Sequence, residues 1–149
     1  MVPQSAKSIS AKQLDAWIAF LRAHRRVLEH LEAELRGEHG LSLSEYEVLL
    51  HLSRAPRNRL RMGELAANVL VTPSGLTRLA DRMADAGLIA RRPCPEDRRV
   101  SYLVLTAAGR KRFEAAAPTH VRGVQEHFAG YLGGDTAAVL AALSRIAGP

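Results

Sequence analysis

The 149-residue chain is poor in several things, and each shortage excludes something. It has one cysteine, Cys94, so no internal disulfide can form. Aromatic residues make up 5% and include a single tryptophan, Trp17, so the core must be built mainly from aliphatic side chains. No apolar run approaches the roughly 20 residues that a membrane-spanning helix needs. The start, MVPQSAKSISAKQ, lacks the apolar core of a secretory signal. HExxH, a Gly-rich phosphate loop, a nucleophile elbow and a catalytic carboxylate pair are all missing. The six histidines form no tight ligand cluster: His120 and His127 are seven apart and share one helical face, with no third ligand nearby in sequence. These absences predict a cytoplasmic protein that is not an enzyme, needs no cofactor or metal, and has no membrane partner.

What the chain does have is cationic charge in one place. The net charge is +6, which suggests an anionic partner. From Arg54 to Arg112 there are 13 Arg or Lys against 5 Asp or Glu, a local +8, while the remainder carries −2. Arginine supplies almost all of the excess, and its planar fork suits phosphate and base-edge contacts.

Hydrophobic periodicity divides the chain. Residues 1–11 read as a flexible tail. Leu14, Trp17, Ile18, Leu21, Leu28, Leu31 and Leu35 recur at helical spacing from about Lys12 to Arg36, and Gly37 and Gly40 end that run. In LSLSEYEVLLHLSRA, Ser44 reads as an N-cap with Glu47 completing a capping box, and Pro56 closes the helix. Glu64 to Val69 is a short helix. Thr72-Pro73 then reads as an N-cap followed by proline at the first helical position, and Gly87 as the C-terminal cap. After Gly87 the period shifts toward alternation: residues 88–92 and 100–105 read as two strands joined by Pro93 to Arg99. Thr106 can cap a further helix, which Pro118 should kink or restart. Gly133-Gly134-Asp135 breaks the chain before a last helix lined by Val139, Leu140, Leu143 and Ile146.

Two short helices joined by a tight turn and followed by a hairpin make a winged helix-turn-helix. A helix fits the major groove of B-DNA, where each base pair shows a distinct edge, and the second helix of such a pair does the reading. Its apolar stripe is Leu76, Leu79, Ala80 and Met83, which leaves Ser74, Thr77, Arg78, Asp81 and Arg82 outward. An arginine-bearing helix face is more often merely solvated. The Thr-Pro start, the short helix before it and the basic hairpin after it together favour DNA.

From about Leu41 to Phe128 the chain resembles the MarR family of bacterial transcription regulators. Asp97-Arg98-Arg99 followed by Leu105-Thr106 and Gly109 matches the family pattern D-x-R-x5-LT-x2-G, and Glu64-Leu65-Ala66 and TRLADRMADAGLIARR (Thr77 to Arg92) match as well. The resemblance implies a homodimer whose N- and C-terminal helices intertwine, with Thr72 to Ala86 as recognition helix and Pro93 to Arg99 as wing. It implies that Asp97 anchors the wing through Arg99, leaving Arg98 for the minor groove or a phosphate. It also implies a small aromatic or anionic effector in a cleft, which Trp17, His24, Arg25 and Tyr46 could help line; a plain dimer-core role for Trp17 is the competing reading.

The expected architecture is therefore mainly α: a winged helix-turn-helix with a small β-hairpin wing, flanked by N- and C-terminal dimerisation helices. The expected division is a tail (1–11), a dimerisation helix and support helix (12–53), the DNA-binding lobe (54–105) and C-terminal dimerisation helices (106–149). The expected DNA-binding residues are Thr72, Ser74, Thr77, Arg78, Arg82, Arg92, Arg98 and Arg99, with Asp97 and Arg99 stabilising the wing. Arg91 and Arg92 point to opposite faces of a strand, and sequence does not say which meets DNA. Arg54, Arg57, Arg59 and Arg61 read equally as phosphate contacts or as a solvated loop. Cys94 reads as a passive wing residue rather than an oxidant sensor. The expected function is a dimeric, sequence-specific transcriptional regulator, a repressor released by an effector, on double-stranded DNA with an inverted repeat. The alternative is a small-molecule carrier or enzyme that retains a non-functional winged helix.

Overall fold

The computed structural model describes residues 8–149. Most of the expected tail thus lies outside the described residues, and α1 (Ala11–His39) begins at its last position. Ser10 caps α1: its hydroxyl accepts from Gln13 N at 3.2 Å, and Gln13 Oε1 accepts from Ser10 N at 2.9 Å. Gly37 remains helical. The helix stops at Gly40, whose φ of +64° favours glycine.

Helix α2 (Leu43–Arg54) starts one half-turn earlier than expected. Both Ser42-x-x-Glu45 and Ser44-x-x-Glu47 fit a capping box, and the structure uses the first, with 3.0 Å and 2.8 Å hydrogen bonds. Packing decides between them. A start at Leu43 buries Leu43, Tyr46, Val48, Leu49 and Leu52 together and lets Glu32 Oε2 accept from Leu43 N at 2.6 Å. Glu47 instead receives Leu70 N at 3.4 Å, and burial pushes its carboxyl above the usual range.

A strand not anticipated from sequence follows: β1 (Arg59–Arg61) pairs with β3 (Ser101–Leu105), which pairs on its other side with β2 (Ile89–Pro93). The wing is therefore an antiparallel three-stranded sheet, not a bare hairpin. Pro93 sits on edge strand β2, where its missing N–H does no harm. Between β1 and β2 lie α3 (Met62–Ala66) and α4 (Pro73–Asp85).

Helix α5 (Ala107–Val124) continues through Pro118 without a break. An interior proline costs a helix roughly 3 kcal/mol. Burial of Ala116, Thr119 and Gly123 around it holds the segment in place. The helix then widens into a π turn (Gln125–Ala129), continues as α6 (Gly130–Leu132), bends at Gly133–Asp135 and ends in α7 (Thr136–Ala147). Helices α1 and α5 lie antiparallel, joined at one end by His39 and Thr119 (2.8 Å) and further along by Glu34 and His127 (2.6 Å).

The core is one cluster of Leu35, Leu41, Val48, Leu49, Leu52, Leu65, Leu76, Met83, Ile89 and Leu103 with their neighbours. It gathers the end of α1 with α2 to β3. The outer half of α1 and all of α7 stand outside it. Leu14, Trp17, Ile18, Phe20 and Leu21 are exposed, as are Val121, Tyr131, Leu140 and Ile146, and α7 buries no residue. Among the described residues no helix is long and apolar enough to cross a membrane.

Candidate DNA interface

Helix α4 is built by local chemistry. Thr72 Oγ1 accepts from Gly75 N at 3.1 Å and Pro73 occupies the first helical position. Leu76, Leu79, Ala80 and Met83 are buried and seat the helix on the core. Ser74, Thr77, Arg78, Asp81 and Arg82 are exposed. The hydroxyls are not equivalent. Thr72 is committed to capping. Thr77 donates back to Pro73 O at 3.2 Å and keeps lone pairs to offer. Ser74 Oγ lies 3.4 Å from Thr72 Oγ1 and faces solvent.

The wing reaches α4 through one ion pair. Arg91 Nη2 donates to Asp81 Oδ1 at 2.8 Å. This resolves the pair of adjacent arginines: Arg91 is spent tethering β2 to α4. Arg92, across the strand, lies in one row with Tyr102 and Arg61. Residues in such a row share a face of the sheet. Arg59 stacks over the Tyr102 ring at 4.5 Å and Arg61 at 5.7 Å, and Arg61 Nε donates to Tyr102 Oη at 3.4 Å. Arg59 and Arg61 are thus strand residues held on an aromatic face, not members of a solvated loop.

At the wing tip, Asp97 Oδ1 accepts from Arg99 N at 3.0 Å and from Arg99 Nε at 3.4 Å. Cys94 N donates to Val100 O at 3.0 Å and Val100 N to Asp97 O at 3.1 Å, closing the loop. Cys94 itself is buried. Among the described residues Arg78, Arg82, Arg92 and Arg98 make no ion pair with protein carboxylates. A groove of 490 Å³ between α4 and the wing is lined by Arg61, Thr77, Arg91 and Arg99. Thr77 of α4, the start of α3 and the strands of the wing therefore border one concavity.

The signature at the end of the wing has a packing explanation. Thr106 Oγ1 donates toward Gly87 O at 2.7 Å and Leu88 O at 2.9 Å, and accepts from Gly109 N at 3.0 Å. A Cβ on Gly109 would lie 2.0 Å from Leu88 O. Leu105-Thr106 and Gly109 thus fasten the start of α5 to the start of β2.

The sequence profile of the MarR family matches residues 39–100. Over 124 residues the chain is 30% identical to the HTH-type transcriptional repressor YetL of Bacillus subtilis, covering 81% of this chain and 74% of that one. The chain belongs to the MarR family. It is a winged helix-turn-helix, DNA-binding transcription regulator, and the family's members are regulators rather than enzymes. Two solved MarR-family structures from Streptomyces coelicolor carry the fold across almost the whole chain. AbsC superposes with a TM-score of 0.86 at 33% identity, covering 95% of this chain and 96% of that one. Sco3205, solved in complex with DNA, superposes with a TM-score of 0.86 at 29% identity, covering 95% and 89%.

The four residues expected near an effector do not come together within this MarR-family chain. Trp17, His24 and Arg25 lie on the exposed half of α1, where Trp17 stacks on Phe20 (6.0 Å) and Phe20 on His24 (6.1 Å). Arg25 faces Glu29 at 3.7 Å. Tyr46 is a core residue stacked on His120 (4.4 Å) and tilted against Phe113 (5.5 Å). Its helix begins beside Glu32, about 22 Å of helix beyond Trp17. Sequence reasoning missed β1, and with it Arg61 as a wall of the groove. Three residues are too few to show a period.

Proposed function

We propose that the protein is a homodimeric repressor that reads an inverted-repeat operator in the cytoplasm and is released by a small aromatic or anionic effector. The observation that carries DNA reading is that α4 and the wing leave Arg78, Arg82, Arg92 and Arg98 exposed and without carboxylate partners among the described residues. Ser74, Thr77, Arg78 and Arg82 reach the major groove, Arg92 and Arg98 the backbone or a neighbouring minor groove, where the negative potential is deepest when narrow. Thr72 acts by capping the helix that presents them, and Asp97 and Arg99 by setting the wing's shape.

Dimerisation is supported by the apolar residues that α1 and α7 leave exposed. Trp17 at 53%, Leu140 at 65% and Ile146 at 78% exposure on helices outside the core are what a second copy would cover. A two-fold dimer sets two recognition helices about one turn of DNA apart, hence the inverted repeat. Repression is the reading favoured by YetL, named a transcriptional repressor. BadR of Rhodopseudomonas palustris, named a transcriptional activatory protein, is 33% identical over 100 residues. A cavity of 510 Å³ between α1 and the π turn with α6, lined by Arg26, Val27, His30, His127, Phe128 and Leu132 among others, has the mixed lining that an aromatic anion requires. An effector there acts by preferring a dimer whose recognition helices are wrongly spaced.

Selection of bound fragments from genomic DNA tests this reading. It should return a two-fold symmetric motif with half-sites about 10 base pairs apart. Recovery of no motif, or of an asymmetric one, refutes the dimeric operator reading, and sedimentation of a monomer at micromolar concentration refutes the dimer.

A further inference from the structure

The structure assigns a second site, away from the DNA-binding lobe, where α1 meets the π turn after α5. Sequence spacing gave no reason to look there, because the donors come from segments more than 90 positions apart. Glu34 Oε1 and His127 Nε2 are 2.6 Å apart. With Glu126 they offer three donor atoms that all lie within 4.8 Å of one another. Glu34 and His127 are both largely buried, and Glu126 is exposed. The His30 ring lies flat on the His127 ring, with centroids 4.2 Å apart and planes 8° from parallel, which limits the swing of that imidazole.

Two further features distinguish this cluster from a simple His–Glu ion pair. Glu34 Oε2 is sealed from solvent and has no hydrogen-bond partner. A carboxylate oxygen left so is costly, and such groups are rare in folded proteins. The space it occupies exists because residue 123 is glycine: a Cβ there would lie 2.5 Å from Oε2 and 2.6 Å from Leu31 Cδ2. The other feature is the widened turn itself. A π turn rotates successive residues less than an α turn does, and here it brings neighbours Glu126 and His127 to the same carboxylate.

We propose that Glu34, Glu126 and His127 bind a divalent transition-metal ion of the zinc class. Two carboxylates and one neutral imidazole balance a doubly charged ion, and nitrogen and oxygen donors at about 2.0–2.2 Å suit Zn²⁺. Donors around such an ion are about 3.4 Å apart, so Glu34 and His127 part from their 2.6 Å contact and the exposed Glu126 side chain closes on them. The ion takes the Nε2 lone pair of the neutral imidazole that carries its ring proton on Nδ1, in place of the contact with Glu34. A metal held at the Glu34 carboxylate places positive charge beside Oε2, which otherwise has no partner. Water fills the remaining positions on the exposed side.

The test is titration of the chelator-stripped full chain with Co²⁺ and then Zn²⁺. One Co²⁺ per chain should bind with visible ligand-field bands that one equivalent of Zn²⁺ abolishes, and Zn²⁺ should raise the thermal midpoint. Glu34→Gln and His127→Gln should lose the bands, and Glu126→Gln should weaken binding at least tenfold. His51→Gln, which removes an imidazole outside the cluster, should bind as the parent does. Circular dichroism reports whether the variants fold; if the two buried-site variants do not, exposed Glu126→Gln decides. Absence of bands in the parent overturns the site. So does parental affinity in Glu126→Gln, or an equal loss in His51→Gln.

Discussion

Replacing Gly109 by alanine should be among the most damaging single-methyl additions available in the chain. The new Cβ would stand 2.0 Å from Leu88 O and 2.9 Å from both Leu88 C and Leu105 Cδ1. Contact distances between heavy atoms are about 3.5 Å, so backbone must move by about 1.5 Å. Overpacking of this kind costs about 1–3 kcal/mol. The carbonyl that has to move also accepts from Thr106 N at 3.3 Å and from Thr106 Oγ1 at 2.9 Å. Weakening both bonds adds roughly 1 kcal/mol apiece. The expected total is about 3–5 kcal/mol, or a fall in melting temperature of about 10 °C or more for a chain of this size. Gly87→Ala is the informative comparison. Gly87 has φ +74° but nothing within 4 Å of its would-be Cβ, so it should lose only about 1–2 kcal/mol of backbone strain. Urea unfolding of the parent and both variants, followed by circular dichroism, measures the difference. A Gly109→Ala protein within 1 kcal/mol of the parent, or less damaged than Gly87→Ala, refutes the idea that this glycine exists to let α5 approach β2.

Three further outcomes are expected. Arg98→Ala and Arg78→Ala should each weaken operator binding by roughly tenfold without lowering the melting temperature, and Arg98→Ala should shorten the salt dependence by about one phosphate contact; unchanged affinity at fixed salt removes that arginine from the interface. Arg91→Ala should differ from them by loosening the wing, with faster amide exchange in β2, because it deletes the tether to Asp81; identical exchange would show the tether to be idle. Burial holds His120 below the usual histidine range. The unfolded chain therefore binds the proton more readily, and stability should fall as pH drops through about 6.5. His120→Phe should flatten that limb of the urea-midpoint profile between pH 7.5 and 5.5, and an unchanged slope would place its origin elsewhere.

The features legible in sequence are those made by near neighbours. Thr72-Pro73 announces the start of α4 because capping and proline geometry act over three residues. The Leu76 to Met83 stripe announces its buried face for the same reason. Where two local patterns compete, sequence is mute: Ser42 and Ser44 are equally good caps, and the burial of Leu43 selects between them. Pro118 shows the opposite failure. Its local preference is to break a helix, and burial on both sides overrides it. Strand β1 has almost no local signal, since its stability comes from pairing with residues some forty positions away. Arg59 and Arg61 therefore look like loop arginines until Tyr102 is placed beneath them.

The sequence by itself determined that positive charge is concentrated in the middle third, that a capped helix carries hydroxyls and arginines outward, and that the terminal helices have more apolar surface than a small lobe can cover. These are consequences of composition and of periods shorter than two helical turns. Only the tertiary structure decided which arginines are free. Arg91 and Arg92 are the same residue type in adjacent positions, yet one closes on Asp81 and the other lies beside Tyr102 on the open face of the sheet. The same holds for Glu34, Glu126 and His127, ordinary surface types that the antiparallel crossing of α1 and the π turn brings to one point. An ion pair or a donor set is a matter of distances of a few ångströms between distant parts of the chain, and those distances exist only once the core has formed.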